Sequence, residues 1–375
     1  MNTVIKEVVS RKDLKLFVRF PDELFQDNPN YVPALHSDEF GTLSKDKNPA
    51  FQYCDVKMWL AYQDERVVGR VCAIINHKAN ALWNTLDVRF GWLDAIDDYD
   101  VFQSLLRKVA DFGRSYGMKR LIGPMGFTNM DKECWVTDGF DQHQNLSTIY
   151  NPPYYVDFIQ RLGYEKECEW KQFKVPVDQP VPAKVTRLAN VVREKYGLRV
   201  LKVKHRREIL PYGKKFFQTL NQSYKDIFGF IPLSSEEIDI QVQKYFSFIN
   251  LDLVCFIVDR QDDVIGFGIG LPDLSVALKK AKGSLLPFAW VRLLYALNHY
   301  DRVDLLLTGV RPDWQKRGVH ALFHQVLHET AVKNGVKEMY TNPQIATFEA
   351  IKVWENQYES TTRTIRRAVF YKNLY

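Results

Sequence analysis

The sequence has few cysteines, and they follow no ligand pattern. Five cysteines occur in 375 residues, and no two of them form a CxxC pair. Without paired cysteines or a cysteine–histidine spacing, the sequence contains no zinc or haem motif, so we expect no metal. Scattered, unpaired cysteines are typical of reduced structural thiols, which predicts a cytoplasmic protein.

Long apolar runs are also lacking. The nearest to one, residues 283–300, is interrupted by Pro287 and Arg292, and it does not read as a membrane-spanning segment. Residues 1–15 are charged and lack the apolar core of a signal peptide. We therefore expect no membrane partner for this protein.

A strong charge of one sign is missing as well. The formal net charge is +6 and the isoelectric point is about 8.8, which is a mild excess of cations. This balance does not indicate nucleic-acid binding, and it suits small anionic ligands at least as well. We expect no nucleic-acid partner.

The length and one proline-rich stretch indicate two domains. A chain of 375 residues favours two domains over one. Residues 175–184 read VPVDQPVPAK, and three prolines in a short polar stretch disfavour both a helix and the interior of a sheet. The predicted domains are therefore residues 1–175 and 185–375.

The two parts repeat one order of elements. Each has a β-hairpin, with turns at residues 63–66 and 260–263, followed by a strand and a long amphipathic helix. The helices end at Gly117 and Gly335. A short strand, a helix and a charged β-stretch follow each time. This order predicts an α/β fold with two units, each a mixed, mostly antiparallel sheet flanked by helices; the second unit carries a helical insertion.

The strand-to-helix turn of the second part has the features of a phosphate site. Residues 309–323 read GVRPDWQKRGVHALF. The start of a helix offers free backbone N–H groups, a glycine permits close approach, and Lys316 and Arg317 add positive charge. The alternative interpretation is an ordinary connection with a solvated basic corner.

This turn resembles the acyl-CoA signature of GCN5-related N-acetyltransferases (GNATs). The signature is Val-x-Pro-x-x-(Gln/Arg)-x-x-Gly-(Ile/Val)-(Gly/Ala). The matching residues are Val310, Pro312, Gln315, Gly318 and Val319. The element order is similar too, so the chain resembles a tandem form of this superfamily. The resemblance implies two acyl-CoA N-acyltransferase-like units, of which the first is degenerate.

The resemblance also implies a donor, an acceptor and the residues that hold the donor. Acetyl-CoA would supply the acyl group to the amine of a small molecule or a protein, without a metal. The backbone near Thr308 and Val310 would pair with the pantetheine arm. The pyrophosphate would lie on a turn formed by Gln315, Lys316, Arg317, Gly318, Val319, His320 and Ala321.

Two positions depart from the family pattern. His320 stands where a second glycine or alanine is usual, and we expect its side chain to face solvent. Trp354 stands where the family often has a tyrosine that protonates the leaving thiolate, and an indole N–H does not serve as an acid. We expect Trp354 to be a core aromatic. The candidates for catalytic roles are therefore Tyr358, Glu349 and His324, each of which also has a structural interpretation.

The first part lacks the phosphate turn. Four aspartates, Asp94, Asp97, Asp98 and Asp100, surround its strand-to-helix junction and would repel a pyrophosphate. A long loop, residues 123–155, carries further acids that either receive a cationic amine or cap turns. These acids are Asp131, Glu133, Asp138 and Asp141.

Three functions fit these observations. The leading one is an acyl-CoA-dependent N-acyltransferase; the alternative is an acyl-CoA-binding or sensing protein without catalysis. A transferase that uses aminoacyl-tRNA has no need of the pyrophosphate turn, which argues against it. A tandem pair also allows a monomer with an internal pseudo-dimer.

Overall fold

The computed structural model describes residues 2–142, 144–177, 180–201, 203–246, 249–348, 351–357 and 363–375. The strands are β1 Val4–Glu7, β2 Cys54–Gln63, β3 Arg66–Asn76, β4 Asp87–Ala95, β5 Arg120–Gly123, β6 Trp135–Asp138, β7 Glu165–Pro176, β8 Arg199–Val200, β9 Val254–Val258, β10 Val264–Pro272, β11 Arg302–Val310, β12 Glu338–Thr341, β13 Gln344–Ile345 and β14 Arg363–Asn373. The helices are α1 Arg11–Leu24, α2 His36–Thr42, α3 His77–Trp83, α4 Tyr99–Ser115, α5 Pro153–Arg161, α6 Ala183–Tyr196, α7 Arg206–Tyr224, α8 Ser235–Phe246, α9 Ser275–Ala281, α10 Ala289–Asn298, α11 His320–Lys333 and α12 Ile351–Gln357.

The described residues form two compact units, and neither unit is one continuous segment. The N-terminal unit consists of Met1–Trp170, Ser275–Arg292 and Ile365–Tyr375. The C-terminal unit consists of Lys171–Leu274 and Leu293–Thr364. This division differs from the predicted 1–175 and 185–375 because part of the helical insertion and the end of the chain belong to the N-terminal unit.

The N-terminal unit is built on a mostly antiparallel sheet with the order β1-β2-β3-β4-β5-β14. Its one parallel pair among the described strands is β4–β5, which the helix α4 connects. In α4 the buried residues recur at helical spacing, so one face packs on the sheet. The predicted glycine cap is present, since Gly117 has a φ of 73°. The buried residues of α4 include Val101, Phe102, Leu105, Leu106 and Val109.

The C-terminal unit repeats this plan with the order β8-β9-β10-β11-β12-β7. Its parallel pair is β11–β12, which α11 connects, and Gly335 ends that helix with a φ of 70°. The hairpin β9–β10 lies where the sequence predicts it. The fold class is therefore the predicted one: two α/β units, each a mixed, mostly antiparallel sheet flanked by helices.

The last strand of each sheet comes from an unexpected place in the sequence. Strand β7 follows the last helix of the first half, and yet its residues 174–176 pair with β12 of the C-terminal unit. Strand β14 follows the last helix of the second half, and yet its residues 370–373 pair with β5 of the N-terminal unit. Each sheet is thus completed by a strand from the other half of the sequence: β14 completes the N-terminal sheet, and β7 completes the C-terminal sheet.

None of the helices in the described part of the chain is both long and apolar enough to cross a bilayer.

Candidate functional site

The turn between β11 and α11 presents a row of backbone amides. Lys316 and Gly318 have positive φ values of 60° and 80°, and Val319 returns to the right-handed region. Such an alternation turns successive N–H groups toward one concavity, which is a common anion-binding geometry. The short hydrogen bonds of the helix begin after these residues: the amide of Ala321 donates to the carbonyl of Gly318 at 3.0 Å, and that of Leu322 donates to the carbonyl of Val319 at 3.1 Å. The amides of residues 316–320 thus precede these bonds and lie at the positive end of a helix.

Side chains around the turn hold its shape. Nε2 of Gln315 donates to the carbonyl of Val310 at 3.1 Å, so this side chain closes the turn onto the end of β11. Trp314 packs edge-on against Tyr196 of α6 with 5.6 Å between the ring centroids, and the guanidinium of Arg317 lies 5.0 Å from the Trp314 ring. Lys316 and Arg317 are exposed, so both cations border the amide row.

Gly318 is the residue that the packing of this turn requires. A Cβ atom at this position would lie 3.0 Å from Leu188 and 3.1 Å from Val192, both on α6. Its positive φ is also unfavourable for residues other than glycine. The next residue, Val319, is buried in the core of the C-terminal unit together with Ala321. The packing of Gly318 and Val319 thus fixes the turn against α6.

Beside the turn, the sheet opens. Strands β11 and β12 pair only over residues 302–305 and 338–341, whereas β11 continues to Val310. A small cavity of about 10 Å³ lies next to the divergence, roughly the space of one water molecule. The residues that line it are Leu305, Thr308, Phe323, His324, Leu327, His328, Met339 and Trp354.

Trp354 closes this cavity. Its side chain is 2% exposed, and its ring meets the ring of His324 edge-on with 4.6 Å between the centroids. The expectation of a core aromatic at this position is confirmed by its burial. The other lining side chains are mainly apolar, so a ligand that enters here needs an apolar group and a displaced Trp354 ring.

Three histidines lie on one face of α11, spaced four residues apart. His324 is held neutral, because burial lowers its pKa from 6.5 to about 3. A base with so low a pKa is poorly suited to take a proton near neutral pH. The expectation that His320 faces solvent is wrong: it is half-buried, its ring centroid lies 6.0 Å from that of His324, and burial lowers its pKa. His328 is fully buried behind them.

Tyr224 is a site residue that the sequence did not reveal. Its hydroxyl donates to the carbonyl of Thr308 at 3.0 Å, and burial raises its pKa. The contact depends on how α7 packs on β11, for which no local motif exists. Two predicted catalytic candidates, Glu349 and Tyr358, lie outside the described residues.

The matching junction in the N-terminal unit has no such amide row. There, Oδ1 of Asp98 accepts hydrogen bonds from the amides of Asp100 and Val101 at 2.9 and 3.2 Å. The space between β4 and β5 is bridged as well, since the amide of Met125 donates to the carbonyl of Phe90 at 2.9 Å. A carboxylate already occupies the helix start, where an anion would otherwise bind.

At least one acid of the long loop in the N-terminal unit caps a turn. Oδ2 of Asp131 accepts from the amide of Thr128 at 3.0 Å, which is the capping role considered for it. Glu133 lies beside Asn129, and burial raises its pKa to about 7.

Comparison with known proteins finds distant relatives that match about four-fifths of the chain. A protein named Protein YghO, from Escherichia coli (strain K12), is 27% identical over 320 residues, 83% of this chain and 80% of the relative. A protein named Bacterial ceramide synthase, from Caulobacter vibrioides (strain NA1000 / CB15N), is 27% identical over 309 residues, 81% of this chain and 79% of the relative. No family profile matches the sequence.

The comparison of structures concerns the fold. A solved structure described as a tandem GNAT protein from the clavulanic acid biosynthesis pathway has a TM-score of 0.57 and 10% sequence identity. The superposition covers 100% of this chain and 99% of that one, so the likeness includes both units.

Proposed function

The chain has the tandem GCN5-related N-acetyltransferase fold, and from this premise we propose that it is an acyl-CoA-dependent N-acyltransferase. The observation that carries the proposal is the amide row of residues 316–320, formed by the positive φ values of Lys316 and Gly318 at the start of α11 and beside two exposed cations. A pyrophosphate is the group that such a row binds best. The N-terminal unit, where Asp98 caps the matching helix, takes no donor.

The proposed donor lies along the free edge of β11. The pantetheine arm would pair with the backbone between Thr308 and Val310, where β12 no longer accompanies the strand. The thioester carbonyl then lies at the divergence of the two strands. A backbone N–H directed at its oxygen would stabilise the negative charge that develops in the tetrahedral intermediate.

The proposed reaction joins an amine to the acyl group. The neutral amine nitrogen attacks the thioester carbonyl, a new C–N bond forms, and the C–S bond breaks. The amine loses a proton and the CoA thiolate gains one. Trp354 does not supply that proton, so positioning of donor and amine carries much of the rate.

We propose a lipid amine as the acceptor. The cavity at the strand divergence is lined mainly by apolar side chains, which favours a substrate with an aliphatic chain. The relative named Bacterial ceramide synthase supports the same class. Displacement of Trp354 would supply the room for the chain.

A binding protein without catalysis is the second candidate. It is favoured by one observation, the buried Trp354 near the place of a proton donor. Both candidates bind acyl-CoA, and only the first releases CoA thiol when an amine is added. Thiol release is therefore the measurement that separates them.

Calorimetric titration with acetyl-CoA and with a long-chain acyl-CoA tests the donor site. The combined substitutions Gln315→Ala and Gly318→Trp should abolish binding, because they remove the bond that closes the turn and force the turn away from Leu188 and Val192 of α6. The matched control is Gln261→Ala with Gly335→Trp, since Gly335 also has a positive φ but open space around it. Binding that survives the first pair, or that is lost equally in the control, would refute the site.

Thiol release with a panel of amines tests the acceptor. Long-chain amino alcohols should give release at least about tenfold faster than short polyamines. Trp354→Ala should change the preferred chain length, whereas Trp354→Phe should preserve it. Equal rates for all amines would contradict the lipid class, and no release with any amine would favour the binding protein.

A further inference from the structure

The loop before α10 and the first turns of that helix expose a set of large apolar side chains. Leu286 and Phe288 are 78% and 75% exposed, which is unusual for residues of this size. The exposed residues of this segment are Leu286, Phe288, Trp290, Val291, Leu294 and Tyr295. An exposed apolar cluster of this kind marks an interaction surface rather than a solvated one.

The helix α10 has an apolar face that is wider than the part it buries. At ~100° per residue, Trp290, Val291, Leu294 and Tyr295 fall within an arc of about 140°. Leu297 falls about 20° outside this arc, next to Trp290, and is buried. The four exposed residues therefore continue the apolar surface of the helix beyond the part that packs on the protein.

The charges around this face are of one sign. Residues 274–300 contain no Asp or Glu, although the composition of the chain would place about three in a segment of that length. The same segment contains four cations: Lys279, Lys280, Lys282 and Arg292. Lys280, Lys282 and Arg292 are exposed, and Lys279 is half-buried.

The acids at either end of the segment do not offset this charge. Asp273 lies 3.5 Å from the guanidinium of Arg302, and Asp301 lies 3.3 Å from the ammonium of Lys337. Both acids thus lie beside cations outside the segment.

The segment is fixed to the N-terminal unit. The amide of His36 donates to the carbonyl of Gly283 at 2.8 Å, and Nζ of Lys279 donates to the carbonyl of Pro29. The hydroxyl of Ser275 donates to the carbonyl of Gln144 at 3.4 Å. These contacts hold in place the start of the loop that bears the exposed apolar residues.

We propose that this surface docks on an anionic lipid bilayer. The apolar-basic patch is defined as Lys280, Lys282, Leu286, Phe288, Trp290, Val291 and Arg292. Its apolar side chains would enter the boundary between headgroups and acyl chains, and its cations would bind lipid phosphates. Contact of this kind is peripheral and needs no spanning helix; it departs from the expectation of no membrane partner.

A second copy of the chain fits the patch less well. In a two-fold symmetric dimer the patch would meet itself, and its cations would face each other without an acid between them. An anionic surface instead neutralises them. The proposal does not depend on acyl transfer, because docking requires only the patch.

Vesicle flotation of the full chain tests the proposal. The vesicles are phosphatidylcholine alone or phosphatidylcholine with about 30% phosphatidylglycerol. We expect the protein to float with the anionic vesicles and at least about tenfold less with neutral ones, and we expect high salt to reduce binding. Equal binding to both, or binding to neither, would overturn the proposal.

Two variants and a control locate the contact. Leu286→Ser with Phe288→Ser should lower flotation at least about tenfold by removing apolar contact, and Lys280→Glu with Lys282→Glu should do so by reversing charge. The matched control, Val9→Ser with Tyr375→Ser, changes two equally exposed residues elsewhere and should float like the original chain. All of these positions are exposed, and circular dichroism verifies that each variant is folded.

Sedimentation velocity distinguishes the bilayer from self-association. A dimer that Leu286→Ser with Phe288→Ser converts to monomer, in a chain that does not float, would assign the patch to a second copy and refute the proposal. Flotation that both patch variants weaken and the control retains would support it, whatever the outcome of the acyl-transfer assay.

Discussion

At the scale of single residues, the turn before α11 depends on Gly318 for two separate reasons. Its φ is positive, and the side chains of Leu188 and Val192 leave little room for a Cβ atom. Gly335 shares only the first property, since nothing lies within 4 Å of its Cβ position. Substitution of the two glycines therefore separates the cost of a positive φ from the cost of crowding against α6.

Gly335→Ala should lower the free energy of unfolding by about 1 kcal/mol, from backbone strain alone. Gly318→Ala should cost about 2 kcal/mol, because its methyl group also displaces Leu188 or Val192. Urea denaturation of both variants checks this order. Equal losses would mean that α6 yields to the added methyl group without cost.

Single residues also mark the limit of what the sequence predicts. The spacing of Val310, Pro312, Gln315, Gly318 and Val319 predicted a strand-to-helix turn, and the structure contains it. The half-buried position of His320 was missed, because the residues that cover a helix face come from elsewhere in the chain. Tyr224 was missed for the same reason, since its partner is a backbone carbonyl 84 residues away.

At the scale of elements, one face of helix α11 bears three histidines, and this face is turned toward the core. Burial holds the pKa of His324 at about 3, against an ordinary value of 6.5. As pH falls below about 6.5, this histidine takes up a proton in the unfolded chain but stays neutral in the folded one. The unfolded state then binds more protons than the folded state. The contribution of His324 to the free energy of unfolding is therefore complete above that pH and is lost progressively toward pH 3.

Substitution of His324 by Phe should weaken this pH dependence. The midpoint of urea denaturation should fall less between about pH 7 and pH 5 in the variant than in the original chain. The comparison variant, His205→Gln, removes an exposed histidine outside α11 and is measured in the same way. If the urea midpoint of the Phe variant changes with pH as much as that of the original chain, another group is responsible for the loss of stability in acid.

The elements that the sequence predicted were those with strong local signals. The two hairpins have polar turns between β-rich runs, and the helices α4 and α11 are followed by glycines. Helices α6 and α8 were not predicted. Strand β14 was predicted as a strand, but its partner is set by long-range pairing, which no local pattern encodes.

At the scale of the whole molecule, the exchange of β7 and β14 couples the two halves of the chain. A cut in the proline-rich stretch would separate β14 from the N-terminal unit and β7 from the C-terminal unit. Each fragment would then have an open sheet edge and a strand without its partner. The chain thus has two units but not two independent folding segments.

Separate expression of residues 1–180 and 181–375 tests this coupling. Each fragment alone should lack a cooperative thermal transition, whereas the two expressed together should copurify and unfold cooperatively. Circular dichroism and size-exclusion chromatography measure both outcomes. A stable, monomeric fragment 1–180 would show that β14 is dispensable for the first sheet.

The position of β14 also bears on synthesis. Domains generally fold as they leave the ribosome, the N-terminal one first. Here the first sheet receives its final strand only from residues 365–375, which are translated after the segments of the C-terminal unit. Until then, β5 lacks this partner strand and its edge is open to chaperones. Termination of translation before β14 should therefore damage the unit that was made first.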